Sequence, residues 1–454
     1  MQNRRGFLKS AGMVGLLALS GCSLASKMKS MHKNPNIIIV FTDDQGYGDA
    51  GCFGATDIKT PNIDQLAADG IKLTDFYVAA PVCTPSRAAL MTGCYPKRVG
   101  LHKVVIFPQD KHGLNPSEQL LPELLKTKGY ATACIGKWHL GHHRPLMPNA
   151  QGFDHYYGLP YSNDMSHLWF KKRGVPKGYP ELAFYDNEKV IETEPDQRYL
   201  TKRYTENACQ WINDNKDNPF FLYLAHSMPH VPWYRSEDFE GTSQRGVYGD
   251  VIEEIDHSVG QIVKQLKELK LEDDTLIIFT SDNGGQNIPK GARNEPLRGA
   301  KGTSWEGGLR VPFIIKYPGR LSAGKVCKEF VSAMDILPTL CELTNAPLPK
   351  NKIDGQDVWE ILSNPTKQQS SRPFLYYARD GVLEAIRMGD WKLHWRKERQ
   401  AKLPFPLLYN LRDDISETTN LADKNPELVD KLQKLAFEMD REITQNARKV
   451  MTVE

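Results

Sequence analysis

Residues 36–44 are Asn-Ile-Ile-Ile-Val-Phe-Thr-Asp-Asp, an apolar run that stops at two acids. The run Ile37–Phe41 has the length and composition of a strand that is covered on both faces of a parallel sheet. Asp43 and Asp44 follow at its carboxyl end. Because buried carboxylates are costly unless a cation neutralises them, the stretch predicts a charged site at the edge of a sheet.

Three further apolar runs have the same form, and each stops at polar side chains. They are 131–135, which ends at Lys137 and His139; 220–224, which ends at His226 and His230; and 276–279, which ends at Asp282 and Asn283. Helical patterns alternate with these strands at residues 63–69, 118–128, 201–215 and 250–270. This alternation predicts an α/β fold with helices on both faces of the sheet and a site beyond the carboxyl ends of the strands.

A different pattern begins near Asn364. Short alternating segments at 372–377, 385–388 and 391–395 predict antiparallel strands, and 426–444 has the pattern of an amphipathic helix. We therefore predict a catalytic domain over residues 35–363 and a smaller α+β subdomain, with a short antiparallel sheet, over residues 364–454. Residues 161–198 are predicted to form a long irregular insertion near the pocket.

The first residues have the form of a bacterial export signal. Arg4 and Arg5 resemble a twin-arginine signal, and the apolar run 11–19 behind them is too short to span a bilayer. The run ends in Leu-Ser-Gly-Cys22, which resembles a lipobox in which Cys22 would carry lipid; a plain signal peptide cut nearby is the alternative. We expect residues 1–21 to be removed and residues 22–34 to form a tether. The protein would then be a periplasmic or cell-surface lipoprotein that meets the export machinery and touches the membrane through its lipid alone.

The charge balance excludes a surface that coats polyanions. The formal net charge is +3, and removal of residues 1–21 takes away three basic residues and no acid, which leaves 55 of each sign. No nucleic-acid partner is therefore expected, and an anionic substrate must be held by local charge.

Residues 83–87 are Cys-Thr-Pro-Ser-Arg. Pro85 suits the first turn of a helix, which places Cys83 at a helix N-terminus, where free backbone N–H groups and the helix dipole favour an anion. The alternative is that Cys83 is a small buried apolar residue, as free cysteines often are.

Five separately placed motifs between Asn36 and Pro312 resemble the type I, arylsulfatase-like sulfatases of the alkaline phosphatase superfamily. Besides the first strand, they are Cys83–Arg87, Ile135–Gly141, Ala225–Pro232 and Gly299–Pro312. The resemblance implies a large, mixed and mostly parallel central sheet. It also implies that a maturase oxidises Cys83 to formylglycine, an aldehyde whose hydrate supplies the nucleophile.

The resemblance assigns roles to the remaining motif residues. Arg87 would orient the hydrate, and Lys137 and Lys301 would hold sulfate oxygens. His139 would take a proton from the nucleophile, and His230 would protonate the leaving oxygen, with His226 as its rival.

Oxygen donors at two strand ends predict a metal site. Asp43, Asp44, Asp282 and Asn283, together with the oxidised Cys83, would form a cage that favours calcium or magnesium over zinc. No Cys-x-x-Cys pair occurs among the eight cysteines, so a cysteine zinc site is not expected. The alternative is that Asp43 caps the next helix and Asp44 pairs with a lysine.

The implied activity is hydrolysis of sulfate esters. Export favours the exo-acting removal of sulfate from sulfated polysaccharide fragments. Candidate sugar contacts are Asp164, His167, Trp169, Arg173, Asn294 and Arg298, although each also suits an ordinary loop. A phosphomonoesterase or phosphonate hydrolase on the same scaffold, and a non-catalytic glycan-binding lipoprotein, are the competing functions.

Overall fold

The strand predicted at residues 37–41 extends over Asn36–Thr42 and lies in the middle of a ten-stranded sheet. The computed structural model describes residues 34–174, 178–395 and 405–454. Residues Asn36–Glu454 form one compact unit. The predicted export signal, the lipid site at Cys22 and residues 22–33 of the predicted tether lie outside the described residues.

Strands and helices alternate through the first two thirds of the chain. In chain order the strands are β1 Asn36–Thr42, β2 Ile71–Leu73, β3 Phe76–Tyr77, β4 His112–Gly113, β5 Ala131–Gly136, β6 His155–Gly158, β7 Ala183–Asp186, β8 Lys189–Thr193, β9 Phe220–Ala225, β10 Thr275–Ser281, β11 Phe313–Lys316, β12 Lys325–Cys327, β13 Val331–Ser332, β14 Pro373–Tyr377, β15 Leu383–Met388, β16 Trp391–His394, β17 Leu407–Asn410 and β18 Met451–Thr452. The α-helices are Pro61–Asp69, Cys83–Thr92, Leu121–Lys126, His167–Lys172, Leu200–Asp214, Val247–Glu268, Glu306–Leu309, Ile336–Thr344, Trp359–Ser363 and Pro426–Gln445. No helix among the described residues is long and apolar enough to cross a membrane.

The large sheet is mixed, and its middle is parallel. Its strand order is β12-β2-β11-β10-β1-β9-β5-β6-β7-β8. The five strands from β10 to β6 run parallel to one another, whereas β11 and β7 each pair antiparallel with their neighbours. The predicted large and mostly parallel sheet is confirmed, and its parallel part brings several strand carboxyl ends to one edge.

Helices cover both faces of the sheet because side chains alternate along each strand. In Ile37–Phe41, the odd-numbered side chains lie in one core with the helices Cys83–Thr92 and Ile336–Thr344. The even-numbered side chains lie in a second core with Leu200–Asp214 and Val247–Glu268. A strand buried on both faces must be apolar throughout, which explains the unbroken run in the sequence.

The segment predicted to be an irregular insertion, residues 161–198, contains regular structure. It forms the helix His167–Lys172 and the hairpin of β7 and β8, which adds two antiparallel strands to the sheet edge. The hairpin was missed because β8 is mostly exposed, so its residues lack the apolar run of a buried strand. The helix predicted at 118–128 is shorter and spans Leu121–Lys126.

The C-terminal residues form the predicted short antiparallel sheet, in the order β14-β15-β16-β17. The helix Pro426–Gln445 packs on it through Leu432, Ala436 and Ile443, which share one core with Ile37. The boundary between residues 363 and 364 stays a prediction, since the apolar core continues across it.

A buried ion network joins this small sheet to the segment of the chain that contains Lys301. Lys392 of β16 lies 2.9 Å from a carboxylate oxygen of Glu306 and 2.8 Å from one of Glu417, and none of the three side chains is exposed. A backbone N–H of Glu306 also donates to Glu417, at 2.8 Å. The network therefore fixes the helix that follows Lys301 to the C-terminal sheet.

Lys392→Met is expected to lower the free energy of unfolding by about 3–5 kcal/mol, because it leaves two buried carboxylates without their shared cation. Urea unfolding followed by circular dichroism measures the change. Lys434→Met, at an exposed position of the C-terminal helix, is the control and should change stability by less than about 0.5 kcal/mol. Equal stability of the two variants would show that the network contributes nothing.

Candidate active site

The carboxyl ends of β1 and β10 bring two pairs of predicted residues together. Thr42 and Ser281 are register partners, and the N–H of Asp282 donates to the Thr42 carbonyl at 3.0 Å. The N–H of Asp44 in turn donates to Asp282 Oδ1 at 3.1 Å. Asp44 has φ 65°, in the left-handed region that few residues other than glycine, asparagine, aspartate and histidine adopt. This turn directs the chain out of the strand and places Asp44 beside Asp282.

Cys83 is the first residue of the helix Cys83–Thr92, as Pro85 predicted. All ten residues of this helix are buried, so the N-terminus is held inside the molecule. Cys83 Sγ lies 3.4 Å from Asp43 Oδ1 and 3.6 Å from Lys301 Nζ. Burial, with Asp282 and Asp43 nearby, raises the pKa of the thiol well above its ordinary value. An unmodified Cys83 is therefore protonated and is a poor nucleophile.

Three predicted cations surround the acids. Arg87 donates through Nε and Nη2 to Asp282 Oδ2, at 3.1 and 2.8 Å, and Lys137 Nζ donates to Asp43 Oδ2 at 2.5 Å. Lys301 Nζ donates to Asp44 Oδ2 at 2.7 Å. Arg87 and Lys137 are fully buried. The pairing that was the alternative for Asp44 thus occurs with Lys301, within a cluster that contains the other predicted site residues.

The acids differ in their protonation. Burial opposes the ionisation of Asp43, but Lys137, His230, Arg87 and Lys301 outweigh it and hold its pKa well below the ordinary value. Burial and the charge of Asp43 raise the pKa of Asp282 to about 6, although Arg87 opposes them. The surrounding cations therefore keep Asp43 ionised, whereas Asp282 beside it ionises less readily.

His139 is a neutral histidine with one unused lone pair. Its Nε2 lies 2.9 Å from the Ile106 carbonyl, which only accepts, so Nε2 carries the hydrogen and Nδ1 has the lone pair. Nδ1 is buried and has no hydrogen-bond partner among the described residues. Burial, Lys137 and Arg87 lower the pKa of His139 well below its ordinary value, so the ring is neutral. A neutral imidazole with an unused lone pair is a base.

His230 lies with the cluster. Its Nε2 is 3.6 Å from Asp44 Oδ2, and its Nδ1 is 2.6 Å from the Val231 carbonyl. Ser162 Oγ lies 3.5 Å from the same Nδ1 and accepts from Lys137 Nζ at 3.3 Å. Because Nδ1 faces a carbonyl, Nε2 is the atom that can exchange a proton with a bound molecule.

His226, the rival of His230, lies in the second core instead. It is fully buried, and its Nε2 is 3.2 Å from Ser258 Oγ of the helix Val247–Glu268. Its ring faces Tyr204 at 6.3 Å between centroids. Burial lowers the pKa of His226 to about 4. These contacts are those of a neutral core histidine.

Two candidate sugar contacts have structural partners. The Asn294 side chain accepts from the N–H of Gly285 at 2.9 Å and donates to its carbonyl at 3.0 Å. Arg298 donates to the Glu417 carbonyl at 2.7 Å and lies 3.8 Å above the Trp305 ring. Both side chains hold the loop that contains Lys301.

The other candidates lie together in the segment after β6. His167 and Trp169 belong to the short helix His167–Lys172, and the exposed Arg173 lies 5.3 Å above the Trp169 ring. Asp164 precedes this helix, and its Oδ1 is buried without a hydrogen-bond partner among the described residues. Their role in sugar binding stays a prediction.

Three residues of the site were missed from the sequence. Besides Ser162, they are Gln286, whose Nε2 donates to Asp44 Oδ2 at 2.8 Å, and Tyr223, whose hydroxyl lies 3.3 Å from Arg87 Nη1. The tyrosine hydroxyl inside the apolar run 220–224 was a usable signal, because a buried hydroxyl needs a partner. Ser162 lies in a segment without any pattern.

The donor atoms at this site could hold a metal ion. Ligand atoms of Asp43, Asp44, Cys83 and His230 all lie within 4.8 Å of one another. Asn283 Nδ2 donates to Asp44 Oδ1 at 2.7 Å, which leaves its Oδ1 buried and without a hydrogen-bond partner among the described residues. An unused buried oxygen beside three carboxylates suits a metal ion.

Comparison with known proteins relates the chain to one family. The family model described as Sulfatase matches residues 35–346. A second model, described as N-sulphoglucosamine sulphohydrolase, C-terminal, matches residues 300–448. The chain is 36% identical to human arylsulfatase A over 452 residues, which cover 90% of the chain and 89% of that protein. It is 35% identical to N-acetylgalactosamine-6-sulfatase of Canis lupus familiaris, with 92% and 87% covered.

The chain belongs to the sulfatase family. It is a type I sulfatase of the alkaline phosphatase superfamily and therefore a sulfuric ester hydrolase. The fold of this sulfatase is similar to that of Ps i-CgsB in complex with k-i-k-neocarrahexaose, with a TM-score of 0.81, 34% identity, and 92% and 94% of the two chains covered. Phosphonate monoester hydrolase of Agrobacterium radiobacter, at 22% identity and a TM-score of 0.65, shares the fold alone.

His226→Gln is expected to make this sulfatase less sensitive to acid. Since burial lowers the folded-state pKa of His226 to about 4, the unfolded chain binds the proton more readily. The stabilisation is complete above the unfolded value of about 6.5 and is lost as the pH falls toward the folded value. Between about pH 7.5 and about pH 5, the wild type should lose about 2 kcal/mol more unfolding free energy than the variant, as measured by urea unfolding.

His257→Gln, at an exposed position of the helix Val247–Glu268, is the matched control and should lose stability as the wild type does. If His226→Gln also followed the wild type, His226 would not be a neutral core residue.

Proposed function

We propose that this sulfatase removes sulfate from sulfated polysaccharide fragments in an exo-acting manner, with a formylglycine formed from Cys83 by a maturase and a bound calcium or magnesium ion. The observation that carries the proposal is the position of Cys83. Its Sγ lies at the N-terminus of a buried helix, 3.4 Å from Asp43 and 3.6 Å from Lys301. The reactive atom at position 83 would thus face both the metal cage and a sulfate-binding cation.

Asp43, Asp44, Asp282 and Asn283, with the modified residue 83, would hold the metal. The ion would neutralise charge on sulfate oxygens and on the nucleophile, which is the main electrostatic contribution in such transfers. The hydrated aldehyde would supply the attacking hydroxyl and a second hydroxyl for the expulsion of sulfate.

The other side chains of the site bind the sulfate, transfer protons and orient residue 83. Lys137 Nζ contacts Asp43, and Lys301 Nζ contacts its neighbour Asp44. The two ammonium groups can therefore hold oxygens of one sulfate between them. His230 Nε2 gives a proton to the departing oxygen. His139 Nδ1, the buried lone pair without a partner, takes the proton of the second hydroxyl. Arg87 fixes Asp282 and orients residue 83.

Sulfated carbohydrate as the substrate is supported by the similar proteins. The Ps i-CgsB structure contains a neocarrahexaose, and another similar structure, at 20% identity, contains D-glucosamine-2-N,6-O-disulfate. Export and lipid anchoring, as predicted from residues 1–22, complete the proposal and rest on the sequence. A periplasmic or cell-surface location would bring the enzyme to polysaccharide fragments from outside the cell.

Cys83→Ala is expected to lower sulfate release by at least about a thousandfold, because it removes the nucleophile while leaving the fold intact. Free sulfate is measured over a panel of sulfated mono- and oligosaccharides and arylsulfates, with wild-type protein whose residue 83 is shown by mass spectrometry to be the aldehyde. Circular dichroism checks the fold of the variant.

Wild-type rates in the variant would contradict the mechanism. Cleavage of phosphate or phosphonate esters alone would favour the phosphoesterase function, and glycan binding without any turnover would favour a non-catalytic role.

Removal of the metal is expected to lower activity by at least about a hundredfold, because the acids then bind the lysines that should hold sulfate. Chelation followed by addition of calcium or magnesium should restore the rate, and the identity of the more effective ion names the cofactor. The melting temperature should rise with ion concentration, since the ion binds the folded state. Full activity in protein shown to be free of metal would exclude the cage.

A further inference from the structure

Residues 102–106 form a loop that is fastened to the reaction centre. The N–H of Ile106 donates to Thr84 Oγ1 at 3.2 Å, and its carbonyl accepts from His139 Nε2 at 2.9 Å. Thr84 is the neighbour of Cys83, and its hydroxyl also donates to the His139 carbonyl at 2.8 Å. The loop therefore forms one wall of the site, and its residue Lys103 is exposed.

The turn between β14 and β15 packs on this loop. The N–H of Ala378 donates to the Val382 carbonyl at 2.8 Å, which closes the turn. Gly381, at its tip, has φ 75°, and a Cβ at this position would lie only 2.5 Å from the His102 carbonyl oxygen. Only glycine allows this approach, so the C-terminal sheet is held against the wall of the site.

Arg379 in this turn lies beside the segment that contains Lys301. Its Cδ is 3.7 Å from the position that a Cβ of Gly302 would occupy. The N–H of Gly302 donates to the Pro81 carbonyl at 2.9 Å, two residues before Cys83. Arg379 thus lies over the junction of the two segments that hold the nucleophile position and the sulfate-binding lysine.

Arg379 and Lys103 have no ion pair among the described residues. Arg87, Lys137 and Lys301 are each paired with a carboxylate of the site. Among the described residues, by contrast, no carboxylate lies within 4.0 Å of Arg379 or Lys103, and both side chains are exposed. A guanidinium without a partner at the rim of an anion site is suited to bind a planar or tetrahedral anion through two parallel hydrogen bonds.

We propose that Arg379, assisted by Lys103, binds a second anionic group of the substrate, a carboxylate or a further sulfate ester, on the sugar that carries the scissile sulfate or on its neighbour. This inference rests on the proposed function and specifies its substrate class: fragments with at least two negative charges near each other. A substrate with one sulfate and no other charged group offers nothing for Arg379 and Lys103 to bind.

The test compares kcat/KM for Arg379→Gln and Lys103→Gln with that for the wild type. The probes are 4-nitrophenyl sulfate, a monosulfated neutral oligosaccharide, a disulfated one and a monosulfated one that contains a uronic acid. With a doubly charged probe, Arg379→Gln should lose about ten- to a hundredfold, mostly in KM, and Lys103→Gln less. With 4-nitrophenyl sulfate both variants should stay within about twofold of the wild type. Whichever doubly charged probe shows the loss identifies the second anion.

Arg441→Gln is the matched control, since Arg441 is an exposed arginine of the C-terminal helix without an ion pair among the described residues. It should match the wild type with every probe. An equal loss on all four probes, or no loss on any, would overturn the proposal.

Binding measurements separate this proposal from the proposed function. Calorimetry with Cys83→Ala protein, which cannot turn over, measures the affinity for the disulfated and uronate probes with and without Arg379→Gln. About tenfold weaker binding in the double variant supports the role of Arg379 even if no sulfate is released by the wild type. Unchanged affinity contradicts it even if the enzyme proves to be an efficient sulfatase.

Discussion

The site depends on the burial of three carboxylates at one edge of a parallel sheet. Asp43, Asp44 and Asp282 are almost fully removed from water, which would be prohibitive without nearby positive charge. Arg87, Lys137 and Lys301 supply that charge, each from a different part of the chain. One strand end cannot surround a carboxylate, so the cations must come from separate elements of the chain. The fold brings these elements together at the site. The same positive groups that make the acids tolerable are those that an anionic substrate needs.

The small C-terminal sheet contributes to this balance of charge by fixing the position of Lys301. Lys392 and Glu417 hold the helix that begins at Glu306, and Arg298 of the same loop bonds to the Glu417 carbonyl. The position of Lys301 is thus fixed between two sheets, and the turn that contains Arg379 comes from the second of them. Among the described residues, the C-terminal sheet supplies none of the clustered acids, yet it helps to position the loop that contains Lys301.

Much of this arrangement was predictable because its signals are local. The apolar run 37–41 with its two acids gave the central strand, and Pro85 gave the start of the buried helix. Other features depend on partners that are distant in sequence. His226 and His230 follow the same strand, and only the packing of Ser258 against His226 separates a core histidine from one in the site. Asn294 and Arg298 have side chains of the kind that contact sugars. In the structure, however, Asn294 bonds to the backbone of Gly285 and Arg298 bonds to the carbonyl of Glu417. The hairpin of β7 and β8 has no buried apolar run and so no signal of its own.

The complete burial of the helix Cys83–Thr92 has a consequence for the order of events in the life of the protein. Cys83 is 2% exposed in the folded chain, so a modifying enzyme cannot bind the residues around it once the helix has packed. The oxidation proposed for Cys83 would therefore compete with folding, and the ratio of the two rates would set the fraction of molecules that become active. A chain that folds before this oxidation would then be stable but inactive.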